Sequence, residues 1–120
     1  MPFALESINK LKEKYDITIV SMGYAPNLKL KEHFIEKYLQ GCSFIGVDYK
    51  KYSNKAHVDM SDGIFVDDSF DILINSNAKT KICFGDTYIF NQAWKGIKLV
   101  NWTDVCNYLL CMSRKFVTLA

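Results

Sequence analysis

Ser21, Lys55 and the adjacent pair Asp67-Asp68 are the residues of this sequence whose types and spacing suit one common chemistry. Ser21 follows the β-branched run Ile17-Thr18-Ile19-Val20, and Asp67-Asp68 follow the apolar run Ile64-Phe65-Val66. Lys55 lies in the polar stretch ahead of that second run. A hydroxyl can donate to a phosphate oxygen, and an ammonium offsets phosphate charge. Paired carboxylates can hold Mg²⁺, a hard cation that commonly takes only one or two ligands from a protein. Adjacent acids repel each other unless a cation is near. Together the set suits a phosphoryl group and its metal. Each member also has a plain structural reading. Ser21 can simply end a strand and Lys55 can be solvated. The two acids can cap a following helix, whose first N–H groups and dipole favour negative charge.

The elements that must position these residues alternate along the chain. Residues 3–15 read as a helix with Leu5, Ile8, Leu11 and Tyr15 on one face. A strand is expected over 17–22. A helix follows from Pro26-Asn27 to Gly41, with Leu30, Phe34, Ile35, Tyr38 and Leu39 at helical spacing. Further strands are expected at 42–47, 64–66, 81–84 and 97–100. Residues 48–62 read as loop, 69–75 as a short helix, and the turn pair Asp62-Gly63 precedes the third strand. Asn101 with Asp104 resembles a capping pair that opens a last helix, with Val105, Cys106, Leu109 and Met112 inward. This order predicts one α/β domain over 1–120, a Rossmann-like three-layer sandwich with a mostly parallel sheet. In such sheets ligands sit beyond the carboxyl ends of the strands, where Ser21, Asp67 and Asp68 fall.

The order of the motifs carries a resemblance. Ile-Val-Ser21, then Lys55, then Gly-Ile-Phe-Val-Asp67-Asp68-Ser resembles the second, third and fourth motifs of the haloacid dehalogenase superfamily. Downstream, Ile82-Cys83-Phe84-Gly85-Asp86, Phe90-Asn91, Trp94 and Gly96 through Val105 resemble the tail of the 5'(3')-deoxyribonucleotidases. The likeness implies that Ser21 and Met22 bind phosphate and that Lys55 steadies it. It implies that Asp67 and Asp68 hold Mg²⁺ and that a nucleoside monophosphate or phosphate is the ligand. An acidic motif at Gly85-Asp86 instead lacks a second acid and a suitable upstream lysine. The family's first motif, Asp-x-Asp-x-Thr/Val, has no match ahead of Ser21. Its first aspartate is the family's nucleophile, so no catalytic residue is assigned. That motif lies on the family's central strand, and the family's cap is missing too.

The expectation is therefore a truncated core without its central strand, which must close the gap, leave open edges or borrow a strand from another chain. Three readings stay open. The chain is half of a split phosphatase, inactive alone; it is a non-catalytic binding module derived from this fold and acting as a homodimer; or its acids are helix caps.

Composition narrows the classes. The chain has 120 residues, 49% hydrophobic, with a net charge of +2 and lysines interspersed with acids. No basic stripe for a nucleic acid polymer is present, no apolar run approaches a membrane span, and no leader pattern opens the sequence, so a cytoplasmic location is expected. Cys42, Cys83, Cys106 and Cys111 lack CxxC spacing and read as reduced core thiols. His33 and His57 have no metal-spaced partner, and no hydrolase triad or P-loop is legible. Asn101-Trp102-Thr103 fits a glycosylation sequon but reads as a helix start. Tyr24, Tyr49, Tyr52, Phe90 and Trp94 are loop aromatics that could stack on a base or cover the ends of the core.

Overall fold

The computed structural model describes residues 4–85, 94–111 and 116–119. Asp86, Phe90, Asn91 and Met112 lie outside the described residues. The described residues hold four helices and six strands in this order: α1 (Ala4–Leu11), β1 (Asp16–Gly23), α2 (Ala25–Tyr38), β2 (Ser43–Asp48), β3 (Ile64–Asp67), α3 (Phe70–Ile74), β4 (Thr80–Phe84), β5 (Ile97–Leu99), α4 (Trp102–Leu110) and β6 (Phe116–Leu119). The strands form one sheet in the order β2-β1-β6-β3-β4-β5, and every pairing is parallel.

The alternation of side chains along the strands divides the core into two layers. Ile17 and Ile19 of β1, Ile64 and Val66 of β3, and Val117 and Leu119 of β6 pack under α1, α2 and α4. Val20, Phe65 and Cys83 face the other way, against Leu73 of α3 and against Val58 and Met60 of the 49–63 connection. This is the α/β, Rossmann-like arrangement of three layers.

Local signals place most boundaries. Asn101 accepts from the Asp104 N–H at 2.8 Å and opens α4 as expected. Ser69 caps α3 by accepting from the Ile72 N–H. The C-terminal end of α4 is held from α1's side: the Tyr15 hydroxyl donates to the Leu109 carbonyl, and Lys14 donates to the Leu110 carbonyl at 2.7 Å. The expected helix over 3–15 is shorter, ending at Leu11, although Ile8, Leu11 and Tyr15 are buried as expected; Leu5 is exposed.

The buried face of α2 differs from the expected one. Ile35 and Leu39 are inward, but Leu30, Phe34 and Tyr38 are 69%, 48% and 47% exposed, and Leu28 is the third inward residue. Two apolar stripes compete on this helix. The Leu28 stripe wins where α2 crosses β2 closely: a Cβ at Gly46 would come within 3.3 Å of Leu28 Cδ1. Of the cysteines, Cys83 and Cys106 are buried, Cys42 is half-buried and Cys111 is exposed, so Cys111 is not a core thiol; all four are free.

The middle of the sheet is the largest departure from the sequence-based expectation. No gap separates β1 from β3, because β6 lies between them and pairs with both. Residues 116–119 carried no expected element. Four residues are too few to show a period, and a strand flanked on both sides can be short because both neighbours supply its hydrogen bonds. Gly63 is adapted to this neighbour, since a Cβ there would stand 2.9 Å from the Phe116 carbonyl.

If β6 knits the sheet, Leu119→Ala should destabilise the protein by about 2–5 kcal/mol through lost burial and cavity formation. Gly63→Ala should cost about 1–3 kcal/mol by overpacking against β6. Phe116→Ala, at an exposed side chain, should stay within about 0.5 kcal/mol. Urea denaturation of the three variants checks the ranking.

Candidate functional site

The chain connections run in opposite directions from the middle of the sheet. From β1 the chain passes through α2 to β2 at one edge; from β3 it passes through α3 to β4 towards the other. The two helices lie on opposite faces. A crevice forms at the carboxyl ends of strands where such a reversal occurs. Here it lies between β1 and β3, above β6. The register pairs Leu119 with Ile19 on one side and Val66 on the other, and both flanking strands run on past that level to Ser21 and Asp67.

A pocket of about 330 Å³ occupies this position, lined among others by Ser21, Met22, Lys31, Lys55, Asp67 and Asp68. The structure thus brings together every residue singled out for phosphate and metal, and Lys31 joins them. Phe84 and Trp102, whose ring centroids are 5.3 Å apart, form an apolar wall.

Two ammonium groups enter from opposite faces. Ser21 follows the odd-numbered residues of β1 toward α2, and Lys31 of α2 donates to its Oγ at 2.7 Å. Lys31 lies ten residues after Ser21, less than three turns into α2. Sequence reading missed it because lysines recur along α2, at Lys29, Lys31 and Lys37. Only the direction of the helix across the sheet selects one of them.

Asp67 points to the opposite face. Lys55 Nζ donates to its Oδ2 at 2.8 Å, with the two side chains only 5% and 3% exposed. The Ser69 N–H donates to its Oδ1 at 3.0 Å. Lys55 is no solvated surface lysine. Its loop is pinned by Val58 and Met60 in the core and by the Asn77 side chain, which accepts from the Met60 N–H at 2.7 Å. Its ammonium also lies 5.4 Å from the Phe65 ring centroid. Ser69, not Asp67 or Asp68, provides the helix cap, which weakens the purely structural reading of the acids.

Burial pushes the Asp67 carboxyl above the usual range; the Lys55 ammonium opposes that shift and the neighbouring Asp68 adds to it. Among the described residues no group of three or more His, Cys, Asp and Glu side chains could hold a metal. The donor set is the two adjacent carboxylates, one already bonded to an ammonium. That suits an ion such as Mg²⁺, which keeps waters and shares a phosphate, and does not suit a caged metal.

The other candidates fall elsewhere. His33 is exposed beside Glu36, and His57 stacks on Tyr52 at 3.7 Å. Trp94 donates to the Ile97 carbonyl and packs edge-on to Phe70, so it covers the core. Tyr24 and Tyr49 are exposed, 6.4 Å apart at the ends of β1 and β2. Among the described residues no helix is long and apolar enough to cross a membrane. No family model, curated protein or solved structure matches this chain.

Two predictions follow from the buried pair. Lys55→Met leaves a lone buried carboxylate and should cost about 3–5 kcal/mol, whereas Lys55→Met with Asp67→Leu should recover most of that loss; a double-mutant cycle by denaturation measures it. The raised Asp67 carboxyl also sets a sign. As the pH rises from about 4, the unfolded chain gives up this proton before the folded chain does, so stability falls. The stability of the parent relative to Asp67→Asn should therefore decrease over that rise in parallel melts.

Proposed function

We propose that this chain binds a phosphomonoester together with Mg²⁺ in the crevice between β1 and β3. In this reading it is a core similar to the 5'(3')-deoxyribonucleotidases, with their phosphate- and metal-binding groups and without their nucleophilic aspartate. The observation that carries the reading is the convergence of Ser21, Lys31, Lys55 and the two aspartates at the strand ends where the chain reverses direction. Ser21 and Lys31 would hold phosphate oxygens from one face of the sheet and Lys55 from the other, with Met22 beside them. Asp67 and Asp68 would hold Mg²⁺, which neutralises phosphate charge when bound. The aromatic wall of Phe84 and Trp102 offers a surface for the ester group, and a nucleoside monophosphate supplies a flat ring for it.

Among the described residues no aspartate besides Asp67 and Asp68 lines this pocket to form a covalent phospho-intermediate. The 120-residue chain alone should therefore bind a deoxynucleoside monophosphate without hydrolysing it, as half of a phosphatase whose nucleophile another segment must supply. A second reading, a non-catalytic module that associates with a second copy, draws on the exposed Leu30, Phe34 and Tyr38 stripe of α2. Its original motive, a sheet in need of a central strand, is met by β6.

Calorimetric titration with deoxynucleoside monophosphates in excess Mg²⁺, beside a phosphate-release assay, tests the proposal. Binding without turnover is expected, and Lys31→Gln should weaken it by about tenfold, the loss of one charge-assisted hydrogen bond. Failure to bind, or equal binding by Lys31→Gln and Ser21→Ala, would refute the site; release of phosphate would refute the missing nucleophile.

A further inference from the structure

The pocket holds its charges at two depths, and each depth is balanced. Inside, Lys55 and Asp67 neutralise one another at 2.8 Å. At the exposed rim stand Lys31, whose ammonium donates to Ser21, and Asp68. Among the described lining residues, two ammonium groups meet two carboxylates, leaving no net charge. We propose that this crevice takes a divalent cation and a phosphate dianion as a pair and takes either one alone poorly. The inference rests on the phosphate-site reading above and adds the rule by which the site fills.

The reason lies in the occupied oxygens of Asp67. Lys55 holds Oδ2 and the Ser69 N–H holds Oδ1. A cation arriving alone meets a buried ammonium already on its ligand, in surroundings where water screens little. A dianion arriving alone draws Lys55 away from Asp67. It then strands a buried carboxylate beside Asp68 and beside its own charge, which is costly. When both arrive, Lys55 can turn from Asp67 to the phosphate while the metal takes its place on the carboxylate. Every buried charge again has a partner. Lys55 is thus the exchange group between the empty and the filled site. The coupling must be reciprocal: each ligand tightens the other by the same factor.

Isothermal titration of the 120-residue chain with magnesium chloride alone, inorganic phosphate alone, and each in saturating amounts of the other tests this. The phosphate Kd should fall at least about tenfold with magnesium present, and the magnesium Kd by the same factor. Two rim variants, at exposed side chains and checked for parent-like melting, shift the balance in opposite directions. Asp68→Asn gives the pocket one positive charge, so phosphate alone should bind tighter than to the parent and the metal's effect should shrink. Lys31→Gln gives it one negative charge, so magnesium alone should bind tighter. If both ligands bind the parent singly as well as together, or if Asp68→Asn weakens phosphate alone, the paired-filling rule is overturned while the phosphate site stands. If neither ligand binds singly or together, the phosphate site itself falls and the rule with it.

Discussion

Lys55 and Asp67 take two opposite charges out of water at one point, and much of the architecture exists to keep them together there. Neither charge is tolerable at such burial without the other. Asp67 is delivered by β3, whose four residues are all buried. Lys55 is delivered by a connection with no helix or strand of its own, which stays in place because Val58 and Met60 sink into the core and Asn77 bonds back to it. A buried ion pair rarely adds to stability beyond what apolar residues of the same size would give. Its place inside the crevice is what the proposed site would need, since a phosphate and a metal could there replace both partnerships.

The two faces of the sheet play different parts in that use. On the α2 face the exposed Lys31 reaches the buried Ser21 in a contact that is only part-buried, so its charge is more screened than that of the inner pair and its hydrogen bond would exchange more easily with a ligand. On the α3 face the pair is shielded, so a ligand there must provide a full substitute for what it displaces. A phosphate seated between them would be drawn in by the accessible cation and held by the buried one. The period of the strands produces this asymmetry. Ser21 and Asp67 sit on neighbouring strands of β6 but on opposite phases of the pleat.

Much of this was legible before any coordinates. Short β-branched runs between helical patterns identified the parallel sheet, and the residues at the ends of the first and third runs were those that now line the pocket. The reading failed where short-range pattern does not determine the outcome. α2 carries two apolar stripes, and only the close approach at Gly46 decides between Leu28 and the Leu30-Phe34-Tyr38 row. Lys31 is one lysine among several until the crossing of α2 over β1 selects it. β6 is four residues long, and nothing local reveals that Phe116–Leu119 lies between strands about a hundred and about fifty positions earlier in the sequence. These are long-range choices, made by packing and not by propensity.

The place of β6 makes the site a property of the whole sheet. β1 with β2 forms one half and β3 with β4 and β5 the other, and the described pairings join them only through β6. Ser21 and Lys31 belong to the first half, Lys55 and Asp67 are closed by the second, and β6, with the two core layers that pack across it, sets the distance between them. A strand pairing with neighbours far away in the sequence must pay a large loop-closure entropy before its contacts are gained. The crevice is therefore closed by the pairings that carry this long-range cost. A variant that loosens β6 should lose phosphate affinity along with stability, even though no β6 side chain bears a charge. That would place the control of the proposed site in a strand at its floor, beneath the residues that line the pocket.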